Sequence, residues 1–336
     1  MEITELQSLF LRHPQVKALA ASLEKSSSKK VFLEGLCASA TPLFFASVRN
    51  QCSVPLVFVL NDAEEAGYFY HDMVQMLGEE QVLFFPSSFR RAIKYGQQDA
   101  ANEILRTEVL NRLSRGENLP YVVTFPEALS EQVVSRKTLD DRTLTIKQGE
   151  QYDIIQLTKV LHEYGFHRHD YVYEPGQYAL RGSILDVYSF SSELPSRIDF
   201  FGDEVDSIRT FEVQSQLSVE KRDIINILPE LNSLQGSKVS FFSFLPEKAV
   251  LVMRDFGYVH ECVQATFDAG FSSKALAENE ENSRMLIPER VLIDGSRFAK
   301  DALNFRRIEF GKLSVGNVEA VLKYSISPQP LYHKNF

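Results

Sequence analysis

Cysteine is scarce in this chain of 336 residues. Cys37, Cys52 and Cys262 sit unevenly in apolar or helical stretches, which argues against a disulfide framework or a cysteine-ligated zinc site. All three are expected to be buried, reduced thiols. Long apolar runs are missing too: nothing approaches the roughly 20 residues that cross a bilayer, and Met1 to His13 lacks the basic-then-apolar layout of a secretory leader. The chain is therefore expected to be cytoplasmic, without membrane contact. Positive charge is in deficit, with 36 Lys and Arg against 45 Asp and Glu, a net charge of -9. Phosphate affinity needs concentrated basic residues, so the bulk surface repels nucleic acid and only a local basic patch is left open. A dinucleotide fingerprint, a Gly-x-Ser-x-Gly elbow and a credible cysteine nucleophile are also absent. His162, His167 and His169 cluster without the spacing or partner of a zinc site, so solvent or interface histidines are expected and no metal or cofactor is assigned.

What is present suits globular cores: 44% of residues are hydrophobic and 24% charged, over a length that fits two or three domains. After a helical opening interrupted at Pro14 and the polar loop KSSSKK (25 to 30), apolar strands alternate with helical spacing. The strands are VFLEG (31 to 35), PLVFVL (55 to 60), VLFFPS (82 to 87) and YVVTF (121 to 125). Helices are predicted from about Pro42, over Asp62 to Leu77 and near Asp99 to Ser114, the second with Ala66, Tyr70, Met73, Val74 and Leu77 on one face. Continuous apolar strands separated by helices indicate a parallel sheet covered on both faces, an α/β domain of the kind that hosts nucleotides.

The first such strand runs into a turn, VFLEGLCASATP, placed where a phosphate loop would stand. A working loop, G-x-x-x-x-G-K-[ST], uses glycines to close backbone N–H groups around phosphate, a lysine for charge and a hydroxyl for magnesium. Laid on Gly35, the pattern puts Ala40 at the second glycine, Thr41 at the lysine and Pro42 at the hydroxyl. The shape is kept and the chemistry is not. A nucleotide hydrolase also needs a strand ending in Asp-Glu, and AVLVMRDF offers Asp255 followed by Phe256. A cap or surface role is the plainer expectation for Asp255.

Beyond about residue 130 the pattern changes. One helix, roughly Asp153 to Tyr164, precedes closely spaced extended segments: HDYVYE (169 to 174), QYALRGSILDVYSF (177 to 190), PSRIDFFGDE (195 to 204) and VDSIRTFEV (205 to 213). Pro175-Gly176, Gly182 and Gly202-Asp203 supply turns. Connections this short exclude parallel pairing, which needs a dozen or more residues, so an antiparallel sheet with a helix on it is expected, inserted into the α/β domain. The expected division is 1–130, 131–213 for the insertion, and 214–336, with strands near 249–254 and 305–326 completing the first sheet and a mainly helical subdomain between them. Within the insertion, Arg181 and Asp186 interrupt an aromatic-rich hairpin that ends in Tyr188, with Arg168 in the segment before it. Arginine and exposed aromatics anchor protein interfaces; a buried Arg181–Asp186 pair holding the turn is the equal alternative.

These residues carry a family resemblance. The stretch EPGQYALRGSILDVYSFSSELPSRIDFFGDEVDSIRTFEVQSQLSVEKRDIINILPE resembles the signature shared by bacterial transcription-repair coupling factors, the Mfd family, and the excision-repair protein UvrB. Arg181-Gly182, Ile184 to Val187 and Glu193 to Arg209 match it in order, and FSFLPEKAVLVMRD and SISPQPLYHKNF fit as well. UvrB keeps an intact phosphate loop and Asp-Glu, so the degenerate residues select the coupling factors. The resemblance implies a RecA-like α/β fold with a lost nucleotide site, at the amino-terminal end of a longer ATP-dependent DNA translocase. Its RNA polymerase and DNA contacts would lie in domains beyond Phe336. It also implies that the inserted domain docks UvrA through Arg181, Gly182 and Asp186, with Arg168 nearby, and that later domains mask this surface by intramolecular contact. Tyr188-Ser189 replace the Phe-Pro usual after the strand, and Tyr188 is expected to keep the aromatic role at the docking surface. The alternatives are an active helicase fragment like UvrB and a nucleotide-cofactor metabolic enzyme; the missing lysine opposes the first, the missing fingerprint the second.

Overall fold

The structure is a computed structural model that describes residues 3–25, 28–88, 100–116, 119–231, 234, 237–270, 291–313 and 316–326. Part of the KSSSKK loop, the acidic loop AENEEN and the tail PQPLYHKNF lie outside the described residues. The chain divides into two compact units. One comprises Met1–Gln97, Arg115–Gln132 and Ser240–Phe336; the other comprises Gln98–Ser114 and Val133–Val239.

The first unit opens with α1 (Ile3–Leu11) and α2 (Pro14–Lys25). The break falls at Pro14, which takes the first position of α2, where its missing N–H costs nothing. The sheet strands are β1 (Lys30–Glu34), β2 (Leu56–Val59), β3 (Val82–Phe84), β4 (Tyr121–Thr124), β15 (Val250–Met253), β16 (Arg306–Gly311) and β17 (Ala320–Lys323). They form a seven-stranded sheet in the order β17-β1-β16-β15-β2-β4-β3, with every pair parallel. All four residues of β2, β4 and β15 are buried, as expected of strands covered on both faces. α3 (Ala40–Arg49) follows β1 and α4 (Ala63–Leu77) follows β2. Asp62 caps α4 by accepting from the Glu64 and Glu65 N–H groups. Its buried face is Ala66, Phe69 and Met73, so Phe69 takes the inward place that spacing gave to Tyr70. The remaining helices are α6 (Pro126–Ser130), α9 (Phe256–Gly270) and α10 (Gly295–Ala302), with α9 packed on α6 and α10.

The second unit contains α5 (Ala100–Arg115, its last residue excepted), β5 (Val133–Val134), α7 (Arg136–Asp141), β6 (Leu144–Lys147) and α8 (Ile154–Glu163). Then come β7 (His167–Arg168), β8 (Gln177–Arg181), β9 (Ile184–Val187), β10 (Ser196–Phe201), β11 (Glu204–Phe211), β12 (Ser218–Arg222), β13 (Ile224–Ile227) and β14 (Lys238–Val239). β7 to β12 form a six-stranded sheet in sequence order, antiparallel from β8 onward. One face carries Tyr178, Leu185, Val187, Ile198, Phe200, Val205 and Ile208, which pack with Leu157 and Leu161 of α8 and with Ile146, Ile225 and Ile227. Each such side chain contributes roughly 1.5–3 kcal/mol on full burial, so this face holds the unit together.

Four expectations need correction. HDYVYE is a loop: Val172 is buried while Tyr171 and Tyr173 are exposed, an alternation that imitates a strand. The Tyr173 and Glu174 N–H groups bond to the Gln177 side chain instead of a ladder partner. The strand before it is β7, which pairs parallel with β8 despite the short connection. The insertion does not stop near residue 213, because β13 pairs with β6 and β14 with β5, which carries the unit on to Val239. Finally, Cys52 is buried, but Cys37 and Cys262 are only half-buried; all three are free thiols.

Candidate functional site

The other face of the antiparallel sheet is polar. Strand alternation turns Arg181, Asp186, Arg197, Asp199, Phe201 and Arg209 away from the α8 side. Asp186 is fully buried and sits opposite Arg197 in the β9–β10 register. Its Oδ1 accepts from Arg197 Nε at 2.7 Å; its Oδ2 accepts from Arg197 Nη2 at 2.9 Å and from Arg181 Nη2 at 2.5 Å. Arg197 also donates to the Gln216 carbonyl and lies 4.4 Å over the Phe211 ring. The hydrogen bond to Asp186 raises the Arg197 pKa above its ordinary value, against burial, which lowers it. Arg209, opposite Arg197 across the next pair, bonds to Asp199. Each arginine on these three strands thus has a carboxylate partner, Arg197 directly across from Asp186 and Arg209 diagonally across from Asp199.

Arg181 satisfies both readings left open by the sequence. It is paired with Asp186, donates from Nη1 to the Asp170 carbonyl at 2.8 Å, and lies 4.9 Å over the ring of exposed Tyr171. Its side chain is nevertheless 35% exposed, whereas that of Arg197 is 17% exposed. With five N–H donors in a fixed fork, it is held in place while still facing solvent. Gly182 occupies the first loop position of the β8–β9 hairpin at φ +61, open space around it, so its role is conformational. Tyr188 is no surface anchor: its ring packs with Val172, Ala179 and Phe211, its hydroxyl donates to the Glu193 carbonyl at 2.6 Å, and burial raises its pKa. Arg168 is exposed at the edge, opposite Tyr178, on the sheet side away from Arg181. The exposed histidines 162, 167 and 169 do not join this face's ion pairs. Sequence reasoning missed Arg197, Asp199, Phe201 and Arg209. The signal was the period-two pattern R-I-D-F-F, in which Ile198 and Phe200 face inward.

The phosphate-loop position is built differently. Gly35 has φ +85, and a Cβ there would stand 2.3 Å from the Tyr324 carbonyl oxygen. The Gly35 N–H bonds to Gly311, and Tyr324 N–H bonds to Glu34, so the tight approach of β17 requires the glycine. Ala40, Thr41 and Pro42 form the first turn of α3. The Thr41 N–H is taken by the Ala38 carbonyl at 3.0 Å and Pro42 has none, which removes donors that an anion would need. Lys30, at the start of β1, is 3.0 Å from Glu309. Asp255 caps α9, its Oδ1 accepting from Gly257 N at 2.7 Å and Tyr258 N at 3.2 Å. Phe256 stacks on Phe298 and carries the Arg307 guanidinium 4.2 Å over its ring. Among the described residues no group of three or more His, Cys, Asp or Glu is placed to hold a metal, and no helix is long and apolar enough to cross a membrane.

The antiparallel unit with its paired arginines is also the part of the chain that a known family matches. Residues 144–232, which span the polar face, match the family described as the UvrB interaction domain. The chain is 31% identical over 201 residues to the transcription-repair-coupling factor of Bacillus subtilis, an alignment covering 60% of this chain and 17% of that protein. It is 29% identical over 213 residues to the factor of the same name from Escherichia coli, covering 62% and 18%. To the Haemophilus influenzae factor it is 38% identical over 101 residues, covering 30% and 9%. The resemblance read from the sequence is borne out, and the matched part spans less than a fifth of these relatives' length.

Proposed function

We propose that this chain is a non-catalytic recruitment module of a transcription-repair coupling factor. Its antiparallel sheet docks UvrA, so that RNA polymerase stalled at damage is linked to nucleotide excision repair. The observation that carries the proposal is the half-exposed Arg181 clamped by Asp186, Asp170 and Tyr171 within the segment that matches the UvrB interaction domain. A guanidinium already fixed loses little side-chain freedom on binding, which favours a hot spot. Arg209 and the 83%-exposed Phe201 extend the same face, whereas Arg168 stands exposed on the edge strand and would reach UvrA only around that edge. RNA polymerase, DNA and the ATP-driven motor belong to other parts of the longer protein, which also mask the face by intramolecular contact. The absence of catalysis in this module rests on Gly35, Thr41 and Asp255, whose bonds serve the fold.

Calorimetric titration of the chain with UvrA from the same organism tests this. Saturable binding is expected, and Arg181→Ala should weaken it by more than about 2 kcal/mol while circular dichroism shows an intact fold. A well-folded chain that gives no heat with UvrA sinks the docking claim. Fluorescent ATP is expected to show no saturable micromolar binding; a clear isotherm would restore an ATP-dependent reading.

A further inference from the structure

The wall of one cavity is not explained by the docking face. It lies in the parallel unit beside the degenerate loop, has a volume of about 260 Å³, and is lined by α4, the loop and the strand ends. That is below the roughly 300–1,000 Å³ of drug-sized ligand sites, so it suits a side chain better than a nucleotide. On α4, Glu65, Tyr68, Phe69 and Asp72 follow the i, i+3, i+4, i+7 spacing that forms one stripe, and all four line the cavity. The charge in the wall is one cation, Arg254, against two carboxylates, Glu65 and Asp72. Where a phosphate would need a lysine, this cavity is acidic.

Arg254 shows how a guanidinium sits there. Its Nε and Nη2 donate to Glu65 Oε1 at 3.0 and 2.5 Å, and its plane lies 5.4 Å from the Phe310 ring centre. Glu65 is fully used, since Oε2 accepts from Asn61 N–H. Asp72 is exposed and makes no hydrogen bond or ion pair among the described residues, and Tyr68 is 69% exposed one turn away. A carboxylate beside an open aromatic ring in a side-chain-sized cavity suits an alkylguanidinium or alkylammonium group.

We propose that this cavity binds an arginine side chain presented by a peptide segment of a partner protein, with Asp72 as counter-ion and Tyr68 as the stacking ring. The inference stands apart from the docking proposal above, since it involves the other unit and an opposite charge. Because the chain contains no tryptophan, Tyr68→Trp places a single indole in the cavity wall and keeps an aromatic face. Its emission would be titrated with acetyl-Gly-Arg-Gly-amide, acetyl-Gly-Ala-Gly-amide, ethylguanidinium and pyrophosphate at constant ionic strength. Calorimetry on the unsubstituted chain provides a second readout. The expected result is saturation by the arginine peptide alone or ahead of ethylguanidinium, with none by the alanine peptide or pyrophosphate. Adding Asp72→Asn should weaken it by more than about threefold without moving the thermal midpoint. Saturation by pyrophosphate, no saturation by the arginine peptide, or affinity untouched by Asp72→Asn overturns the proposal. Ethylguanidinium binding as tightly as the peptide overturns the peptide assignment and leaves a site for small cations.

Discussion

In the parallel unit, groups at the strand ends direct their bonds back into the fold: Asp255 into a helix cap, the Thr41 N–H into its own loop, Gly35 into the passage of β17. In the antiparallel unit, charged groups stand within the strands and bond to one another, and the arginines remain partly open to solvent. Both arrangements satisfy polar atoms, but they leave different surfaces. A loop whose N–H groups are claimed by neighbours no longer offers them to a ligand. A guanidinium held by a buried carboxylate still presents its outer edge. On the proposed function, this contrast is what separates a loop closed to nucleotide from a face open to a partner.

The sharpest way to break that comparison is Asp186→Asn. Removing the buried charge leaves Arg197 and part of Arg181 without a counter-ion, and urea unfolding should show a loss of about 3 kcal/mol. A loss below about 1 kcal/mol would mean that water, not Asp186, organises the face. Next is Gly35→Ala, where a left-handed backbone and a Cβ driven into the Tyr324 carbonyl should cost about 2 kcal/mol. Gly182→Ala, left-handed but in open space, should cost about half as much. Equal losses at the two glycines would remove the claim that β17 demands Gly35. Asp255→Ala should lose only a helix cap, about 1 kcal/mol, in thermal or chemical unfolding that is identical with and without magnesium nucleotide.

The smallest effect tests the same contrast at a buried hydroxyl. Tyr121 in β4 is fully buried, its hydroxyl has no hydrogen-bond partner among the described residues, and burial raises its pKa well above the ordinary 10.0. Below pH 10 both folded and unfolded chains keep the phenol neutral, so its contribution is constant. Above that pH the unfolded chain ionises first and stability falls. Tyr121→Phe should change stability by less than about 1 kcal/mol at pH 7 and reduce the alkaline decline, measured by urea unfolding at pH 7 and above pH 10.

The parallel sheet was legible because its strands are buried on both faces and read as unbroken apolar runs, while α4 announces itself through the Asp62 cap and its apolar spacing. The antiparallel sheet was legible from alternation and glycine turns. Side-chain partners across strands were not, because the Asp186–Arg197 bond depends on the β9–β10 register, which no local pattern prints. For the same reason the sequence could name Arg181 and Asp186 without finding the carboxylate's second arginine. Tyr188 was misjudged as a presenting aromatic because it shares the parity of Asp186, while Val172 of the preceding loop and Phe211 pack with its ring and bury it, contacts no local pattern prints. The boundary near 213 was missed because β13 returns to a partner, β6, that lies before the sheet begins.

The strand order has a consequence for synthesis. β1 pairs only with β16 and β17, which follow the whole inserted unit in the chain. At roughly 5–20 residues per second, the ribosome leaves β1 without a ladder partner for on the order of tens of seconds. Before that interval ends the inserted unit is complete to Val239 and has its own core, whereas VFLE still stands as an unpaired apolar edge of the kind that recruits other chains. A chain ended before Arg306 therefore keeps a foldable antiparallel unit attached to an aggregation-prone half-sheet. The vulnerable state is the one before Arg306 is made, and β16 and β17 close the opening left beside β1.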